Sequence, residues 1–359
     1  MTKPPALLFG VPIDDLTMDE TLEAIDSLVA DGRRHGRTHQ IATVNVDFLV
    51  NALNDHDVRA LLQGAALNVA DGLPVVWATR LAGTPVRERV TGADLVPAIA
   101  AEATSRGWRV HFFGSAPGVA ERALDLLGER HPGAELSGTS GPLLSDVSVV
   151  DDAVLDEIIG HDPDILCVAL GNPKQERFIA AHRERLGIPV MIGIGGSLDM
   201  LVGDKKRAPE WAQRSGVEWV FRAAQEPGRL GKRYAKDAVV FGPRVVEYVR
   251  ALRRHRNRRP LQIDQGPDER LVLTTGDGLG GSITFADAAE RLAGGAGLSI
   301  DLRSDVPDPR GICALVGLAR IARRSGGDVA VELSSENRIE LSAHDLPNWV
   351  IDDVDIEQR

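Results

Sequence analysis

Residues 165–186 read ILCVALGNPKQERFIAAHRERL, in which a short apolar run meets an amphipathic stretch at Gly-Asn-Pro, residues 171–173. The apolar run is typical of a buried strand, and the apolar residues after the tripeptide recur at helical spacing. A helix that begins directly after a strand points unpaired backbone N–H groups at the sheet edge, where an anion can bind. Lys174, Gln175 and Glu176 follow in the first helical turn. The stretch predicts a strand–helix unit with a candidate anion site; an ordinary strand-to-helix connection is the alternative.

The same alternation of apolar runs and amphipathic stretches continues through about the first 210 residues. Strands are predicted at 40–43, 67–70, 108–114, 165–170 and 189–194. Helices are predicted at 49–63, 93–106, 117–130 and 151–160. This order predicts an α/β fold with a largely parallel sheet flanked by helices.

The chain has 359 residues, 43% of them hydrophobic, which is enough for two globular domains. Two cysteines exclude a disulfide framework and a cysteine-rich metal site, and they favour a reducing, cytoplasmic setting. No uninterrupted apolar run approaches the roughly 18 residues that a membrane-spanning helix needs. We therefore expect a soluble protein or one that lies on a membrane surface.

Charge is distributed unevenly around the net value of −11. Residues 222–259 carry 12 Lys and Arg against three acidic residues, whereas residues 260–359 carry nine basic and 18 acidic residues. The basic stretch is suited to the phosphates of a nucleic acid, a lipid surface or a diphosphate substrate, and a solvated helix face is the alternative. Few aromatic residues interleave with it, which argues against stacking on single-stranded nucleic acid.

Four segments are expected. Residues 1–210 form the α/β core; residues 211–259 form a helical appendage that begins near Trp211 and is interrupted at Pro227 and Pro243. Pro260 opens a linker, 260–268, and the order strand, helix, strand, helix, strand predicts a second α/β unit in 269–359 with an acidic tail.

Polar or glycine residues follow several predicted strands of the core. Asp71 follows the strand at 67–70, and a glycine turn from Gly114 to Gly118 follows the strand at 108–114. The carboxyl ends of parallel strands form the usual ligand crevice of an α/β sheet. Capping of the next helix or turn is the alternative role for Asp71, and a plain strand–helix turn is the alternative for the glycines. The run after 189–194 lacks the third glycine of a dinucleotide fingerprint, which argues against an NAD enzyme.

Seven blocks resemble, in order, the WecG/TagA/CpsF family of bacterial glycosyltransferases. They are TVNVDFLV (43–50), VADGLPVVWA (69–78), RVTGADLVP (89–97), FFGSAPGVAERA (112–123), GNPKQERFI (171–179), GIGGSLDMLVGDKKRAPEW (193–211) and GVEWVFRAAQEPGRLGKRY (216–234). The resemblance implies a Rossmann-like sheet. It also implies transfer of N-acetylmannosamine or a related sugar from a UDP-sugar to a saccharide on a polyprenyl diphosphate, at the inner face of the cell membrane.

The resemblance assigns catalytic roles to two residues. Asp71 matches the family's proposed general base, and Thr43 matches its other active-site polar residue. Asn45 and Asp47 alternate with valines after Thr43, so an extended chain places all three on one face. A helix cap is the alternative role for Asp47.

Donor binding is assigned to backbone and polar groups after three strands: Gly114, Ser115, Gly118, Asn172, Lys174, Gln175, Gly195 and Gly196. The diphosphate and the acceptor are assigned to cations: Arg87, Arg89, Arg207, Arg222, Arg229 and Arg233, with Lys205 and Lys206 beside the donor site. Arginines on a solvated helix face are the alternative for the last three. The family's C-terminal segment folds over the pocket and rests on the membrane.

No cofactor or metal is expected. The Asp-x-Asp strings at 162–164 and 353–355 stand before a strand and in the acidic tail, which are the wrong places for a diphosphate-bound ion. A metal-independent, inverting mechanism follows, in which cations neutralise the departing UDP.

Residues 269–359 resemble a STAS domain, a small α/β module that mediates protein contacts. The sequence departs from the family at 308–311, where Asp-Pro-Arg-Gly stands in place of a phosphorylatable residue after Asp. The resemblance implies a protein partner, and the core implies self-association. A catalytically weak nucleotide-sugar-binding scaffold that recruits partners through this module is the alternative reading of the whole chain. Nucleic-acid binding is not expected.

Overall fold

The structure is a computed structural model that describes residues 3–140, 146–205, 208–209, 212, 218, 220–221, 228, 231–254, 258–266, 270–276, 283–334 and 337. Six parallel strands form its main sheet in the order β4-β3-β8-β7-β5-β6. They are β3 (His39–Val44), β4 (Leu67–Ala70), β5 (Arg109–Gly114), β6 (Glu135–Thr139), β7 (Ile165–Ala169) and β8 (Val190–Gly193). The predicted α/β class with a parallel sheet is confirmed.

Helices cover both faces of this sheet and bury apolar clusters against it. They are α1 (Met18–His35), α2 (Val46–Asn54), α3 (His56–Gly64), α4 (Leu73–Leu81), α5 (Gly92–Arg106), α6 (Val119–Arg130), α7 (Asp152–Gly160), α8 (Lys174–Leu186) and α9 (Ser197–Leu201). Hydroxyl caps fix two of the starts, since Thr17 accepts from Glu20 N and Thr91 from Asp94 N.

Two predictions about residues 43–63 were wrong. The single helix at 49–63 is two helices, because Asp55 leaves helical geometry and accepts hydrogen bonds from the N–H groups of Asp57 and Val58 at the start of α3. The segment after Thr43 is not extended, because Asn45 caps α2 by accepting from Phe48 N and so places Asp47 in the first helical turn. Asn45, rather than Asp47, is the cap of this helix.

The N-terminal residues form a two-stranded antiparallel hairpin, β1 (Ala6–Leu8) and β2 (Val11–Ile13). Neither this hairpin nor β6 was predicted from the sequence. Helix α10 (Lys232–Arg254) packs onto the hairpin, where Phe9 contacts Phe241 and Tyr248 edge-on, and the Tyr248 hydroxyl donates to Leu7 O at 3.0 Å. This helix continues through Pro243, where an interruption was predicted, because buried Phe241 and Val245 anchor it on both sides.

A four-stranded sheet, β12-β11-β10-β9, forms the C-terminal unit. Its strands are β9 (Leu261–Gln265), β10 (Leu271–Thr275), β11 (Leu298–Leu302) and β12 (Val329–Leu333), with helices α11 (Phe285–Ala293) and α12 (Pro309–Arg324). Strand β9 lies inside the segment expected to be a linker, because it pairs antiparallel with β10 and buries Ile263. The STAS identity of this unit stays a prediction.

The hairpin joins the two units. Leu7 lies in the apolar cluster of the C-terminal unit, whereas Leu8 lies in that of the main sheet. Beside the hairpin, Asp14 and Arg320 form a buried two-pronged ion pair with N–O distances of 3.1 and 3.3 Å. Arg320 also donates to the carbonyls of Ala65 and Ala66 at 2.8 and 3.0 Å. Helix α12 is therefore held to the core by a buried ion pair.

Removing one partner of this pair has a large expected cost. Asp14→Ala leaves the Arg320 cation buried without its carboxylate, so we expect a loss of about 3 to 5 kcal/mol in unfolding free energy by chemical denaturation. Glu247→Ala, which breaks the exposed pair with Arg244, is the control and should cost less than about 1 kcal/mol. The double change Asp14→Leu with Arg320→Met should cost less than Asp14→Ala alone. A greater loss in the double variant would contradict this account.

Candidate active site

The carboxyl ends of the parallel strands gather most of the predicted site residues at one edge. Thr43 is the penultimate residue of β3, and Asp71 follows β4 directly. Gly114 ends β5, while Asn172 and Gly195 follow β7 and β8 by a few residues. Parallel strands present their carboxyl ends together, so residues distant in sequence share one crevice.

Gln175 links α8 to the turn after β8. Its side chain is 1% exposed, and its Oε1 accepts a hydrogen bond from Gly195 N at 2.9 Å. A Cβ on Gly193 would lie 2.3 Å from the Gln175 amide nitrogen, so a larger residue there would displace the Gln175 side chain. Thr43 completes the contact, because its buried hydroxyl donates to Gly193 O at 3.0 Å. Three elements, β3, β8 and α8, are thus held together at the floor of the crevice.

Asn172 reaches the start of α2. Its Nδ2 donates to the Asp47 carboxylate at 3.0 Å, and the Asn172–Pro173 peptide bond is cis. The Asn172 Oδ1 is buried and has no hydrogen-bond partner among the residues that the structure describes. Pro173 is the N-cap, and the helix begins at Lys174. The predicted strand–helix unit is confirmed.

Glu176 is a functional candidate that the sequence analysis left out of the site. It is fully buried, and neither carboxylate oxygen has a hydrogen-bond partner in the described part of the chain. Burial raises the pKa of this carboxyl to about 8; the negative charge of Asp47 also raises it, and the adjacent Gln175 side chain lowers it. Glu176 is therefore a neutral acid at neutral pH, seated under Gly193. In the sequence, only its position beside Gln175 in the block 171–179 pointed to Glu176 as a site residue.

Asp71 stands where β4 ends. Its N–H donates to Val44 O at 2.8 Å, which continues the pairing of β4 with β3 past the last strand residue. Gly72 follows with φ at 111°, a conformation that turns the chain sharply into α4 and that side chains rarely adopt. The half-buried Asp71 is thus placed at the crevice, one strand away from Thr43.

Ser115, which follows β5, and Asp199, in α9, contact each other at the crevice. The Ser115 hydroxyl donates to the Asp199 carboxylate at 3.2 Å, and Lys205 Nζ lies 3.2 Å from the other Asp199 oxygen. Gly114 has φ at 97° and no room for a side chain, since a Cβ would lie 3.1 Å from Ala169 O. Gly118, with φ at 80°, is the N-cap of α6. Asp199 was not among the predicted site residues, although it lies within the matching block 193–211.

The structure does not bring the predicted cations together at the crevice as it does the other predicted site residues. Arg87 is held by Asp15 and Glu20, with its Nε 3.0 Å from Asp15, so the structure directs it toward the N-terminal segment and not into the crevice. Arg89 pairs with Glu218 at 3.0 Å. The next residue, Val90, donates its N–H to Ala70 O at the end of β4, so Arg89 lies near that strand end. Lys206, Arg207, Arg222 and Arg229 lie outside the described residues, as does the side chain of Arg233.

Asp164 of the string at 162–164 lies at the opposite, amino-terminal edge of the sheet, as expected. It is 1% exposed and pairs with Arg33 at 2.6 Å and with Arg109 at 3.4 Å. Among the described residues, no group of three or more His, Cys, Asp or Glu is arranged to hold a metal ion. Within the same part of the chain, no helix is long and apolar enough to cross a membrane.

A parallel sheet whose carboxyl edge gathers polar side chains and glycine turns defines a Rossmann-like α/β protein with its ligand crevice at that edge. The chain belongs to the family described as Glycosyl transferase WecG/TagA/CpsF, which it matches over residues 6–256.

Two curated relatives carry the name N-acetylglucosaminyldiphosphoundecaprenol N-acetyl-beta-D-mannosaminyltransferase. The protein of Bacillus spizizenii is 33% identical over 189 residues, which cover 53% of this chain and 72% of the relative. The protein of Staphylococcus aureus strain MW2 is 28% identical over 247 residues, which cover 69% of this chain and 94% of the relative.

Gly193→Ala tests the close approach of Gln175. The added methyl group collides with the Gln175 amide, so we expect a loss of about 1 to 3 kcal/mol in unfolding free energy and a fall in turnover. The control is Gly64→Ala at the end of α3, where a Cβ meets nothing within 4 Å. Unchanged stability and activity in Gly193→Ala would refute the packing described.

Glu176→Gln tests the buried acid. The folded-state pKa near 8 exceeds the ordinary 4.5, so the carboxyl contributes stability below about pH 4.5 that is lost as pH rises toward 8. Between pH 5 and pH 8 we expect the wild type to lose about 3 to 4 kcal/mol of unfolding free energy relative to Glu176→Gln. Denaturant unfolding at both pH values measures this difference. Glu184→Gln, an exposed change in the same helix, should follow the wild type.

Proposed function

We propose that this protein transfers N-acetylmannosamine, or a related sugar, from a UDP-sugar to an N-acetylglucosamine linked to a polyprenyl diphosphate. The observation that carries the proposal is the convergence of Thr43, Asp71, Gln175 and the Gly195 turn on one sheet edge. These residues come from four separate blocks of the family pattern. The names of the relatives supply the donor sugar and the acceptor class.

In the proposed reaction, the Asp71 carboxylate removes the proton from an acceptor hydroxyl. The acceptor oxygen attacks the anomeric carbon of the donor as the bond to the UDP oxygen breaks, so a single displacement inverts that carbon. Thr43 already donates its hydroxyl proton to Gly193 O, so its part is to hold the turn after β8 and to offer its oxygen as an acceptor. Asn45 caps α2 and Asp47 binds Asn172, so both support the crevice wall.

The donor diphosphate is assigned to the turns after β5, β7 and β8. The starts of α6 and α8 offer N–H groups, and Lys174 adds a cation at the second of them. Asp199 is suited to accept hydrogen bonds from hydroxyl groups of the donor, because Ser115 and Lys205 already orient its carboxylate. Arg89, Arg207, Arg222, Arg229 and Arg233 are proposed to offset the charge of the departing UDP without a metal ion.

The acceptor is proposed to reach the crevice from the inner face of the cell membrane. The basic stretch at 222–259 comprises helix α10 and the residues on either side of it, and each Lys or Arg near anionic lipid adds roughly 1 kcal/mol of attraction. Exposed Val239 and Val246 on this helix add apolar surface to the charge. Self-association and a protein partner for the C-terminal unit stay predictions.

The test is UDP release from UDP-N-acetylmannosamine, with and without EDTA, using a short-chain polyprenyl-diphosphate N-acetylglucosamine acceptor. Asp71→Asn keeps the shape of the side chain but removes the base, so we expect turnover to fall by about 100-fold or more with unchanged thermal stability. Asp57→Asn, an exposed change in α3, is the control and should keep full activity. Normal turnover by Asp71→Asn would overturn the base assignment, and loss of activity in EDTA would overturn the metal-independent mechanism.

A further inference from the structure

A cleft of about 520 Å³ lies where α12 of the C-terminal unit meets the core. His39 and Gln40 at the start of β3 line it, together with Arg183 near the end of α8. The cleft is therefore at the amino-terminal edge of the main sheet, opposite the crevice that holds Thr43 and Gln175. Its volume is typical of small-molecule sites, which often form between packed units.

The cleft is strongly basic. Its lining includes five arginines and a single carboxylate: Arg37, Arg183, Arg320, Arg323, Arg324 and Glu184. Two carboxylates next to the lining offset part of this charge, since Asp14 pairs with Arg320 and Asp31 lies 3.5 Å from Arg37. Burial lowers the pKa of His39, which contacts Asp31 at 2.7 Å, so the ring adds no charge at neutral pH. Positive charge remains in excess.

Protein groups satisfy only part of this cluster. Arg320 is 7% exposed, and its Nη atoms bond to Asp14 and to two carbonyls, but its Nε is buried without a hydrogen-bond partner in the described part of the chain. The Gln40 Nε2 is likewise buried and unpartnered there. Arg324 donates to Ala66 O at a long 3.4 Å, and burial together with Arg320 lowers its pKa. An anion in the cleft would accept hydrogen bonds from these unsatisfied donors and would offset the repulsion between the crowded cations.

We propose that this cleft binds a small phosphorylated anion. Arg183 and Arg323 at the mouth would contact the phosphate oxygens, which match the forked geometry of a guanidinium. Arg324 and the unpartnered donors of Gln40 and Arg320 would meet the oxygens that enter deepest. The walls come from both units, so a bound anion would also hold the C-terminal unit against the core. This site is separate from the one proposed for sugar transfer.

Calorimetric titration of the full chain with inorganic pyrophosphate tests the proposal. We expect saturable binding that weakens about tenfold or more in the double variant Arg183→Ala with Arg323→Ala, because each change removes a charge-assisted hydrogen bond to a phosphate oxygen. Both side chains are exposed, so the fold should persist. Arg185→Ala is the matched control, because this neighbour in α8 pairs with Asp152 and Asp156. It should bind as the wild type does.

Gln40→Met separates binding from folding. Its Nε2 has no described protein partner to lose, so we expect unchanged thermal stability with pyrophosphate affinity lowered several-fold. The proposal is overturned if the wild type shows no saturable binding below about 1 mM. It is also overturned if the double variant binds unchanged, or if citrate binds as tightly as pyrophosphate. Because the opposite crevice is itself proposed to hold a diphosphate, the titrations are run in saturating UDP, so that the pyrophosphate binding that is measured belongs to the cleft.

Discussion

The hydrogen bond from Gly195 N to Gln175 is the contact on which the crevice depends. It can form only because Gly193 has no side chain, which lets the Gln175 amide lie against the backbone of β8. Thr43 adds a hydrogen bond to the same backbone from the other side. The ends of three elements are therefore fixed relative to each other before any ligand arrives, and such prior organisation lowers the cost of binding and of reaction.

Below these contacts lies a buried carboxyl group, Glu176, whose burial is energetically unfavourable when it is charged. Glu176 is buried with both oxygens unpartnered in the described residues, and a charged carboxylate there would be far less favourable than a neutral one. The core tolerates the group because burial keeps it protonated. Buried groups with strongly shifted pKa values concentrate at functional sites, and Glu176 lies directly beside Gln175. The crevice floor is thus ordered by packing and hydrogen bonds, and its stability falls as pH rises from about 4.5 toward 8.

The C-terminal unit is attached by a different kind of contact. Its helix α12 brings Arg320 to the buried Asp14, while the hairpin of β1 and β2 places Leu7 in one apolar cluster and Leu8 in the other. A lone buried charge is costly, so either partner of the ion pair is unfavourable without the other. The same interface leaves a basic cleft at the far end of β3 and α8 from the crevice.

Much of the fold was determined by sequence: β4 has the predicted bounds, and periodicity located α5, α6 and α8 because their apolar faces recur regularly. Local pattern could not reveal β6, whose residues are mostly half-exposed, or β9, which is a strand only because β10 pairs with it. Motifs named Asp71 and Gln175, but tertiary structure alone decided that Arg87 turns to Asp15 and that Glu176 is a neutral acid. The reason is physical: charge partners and burial depend on residues far apart in the chain, which only the folded sheet brings together.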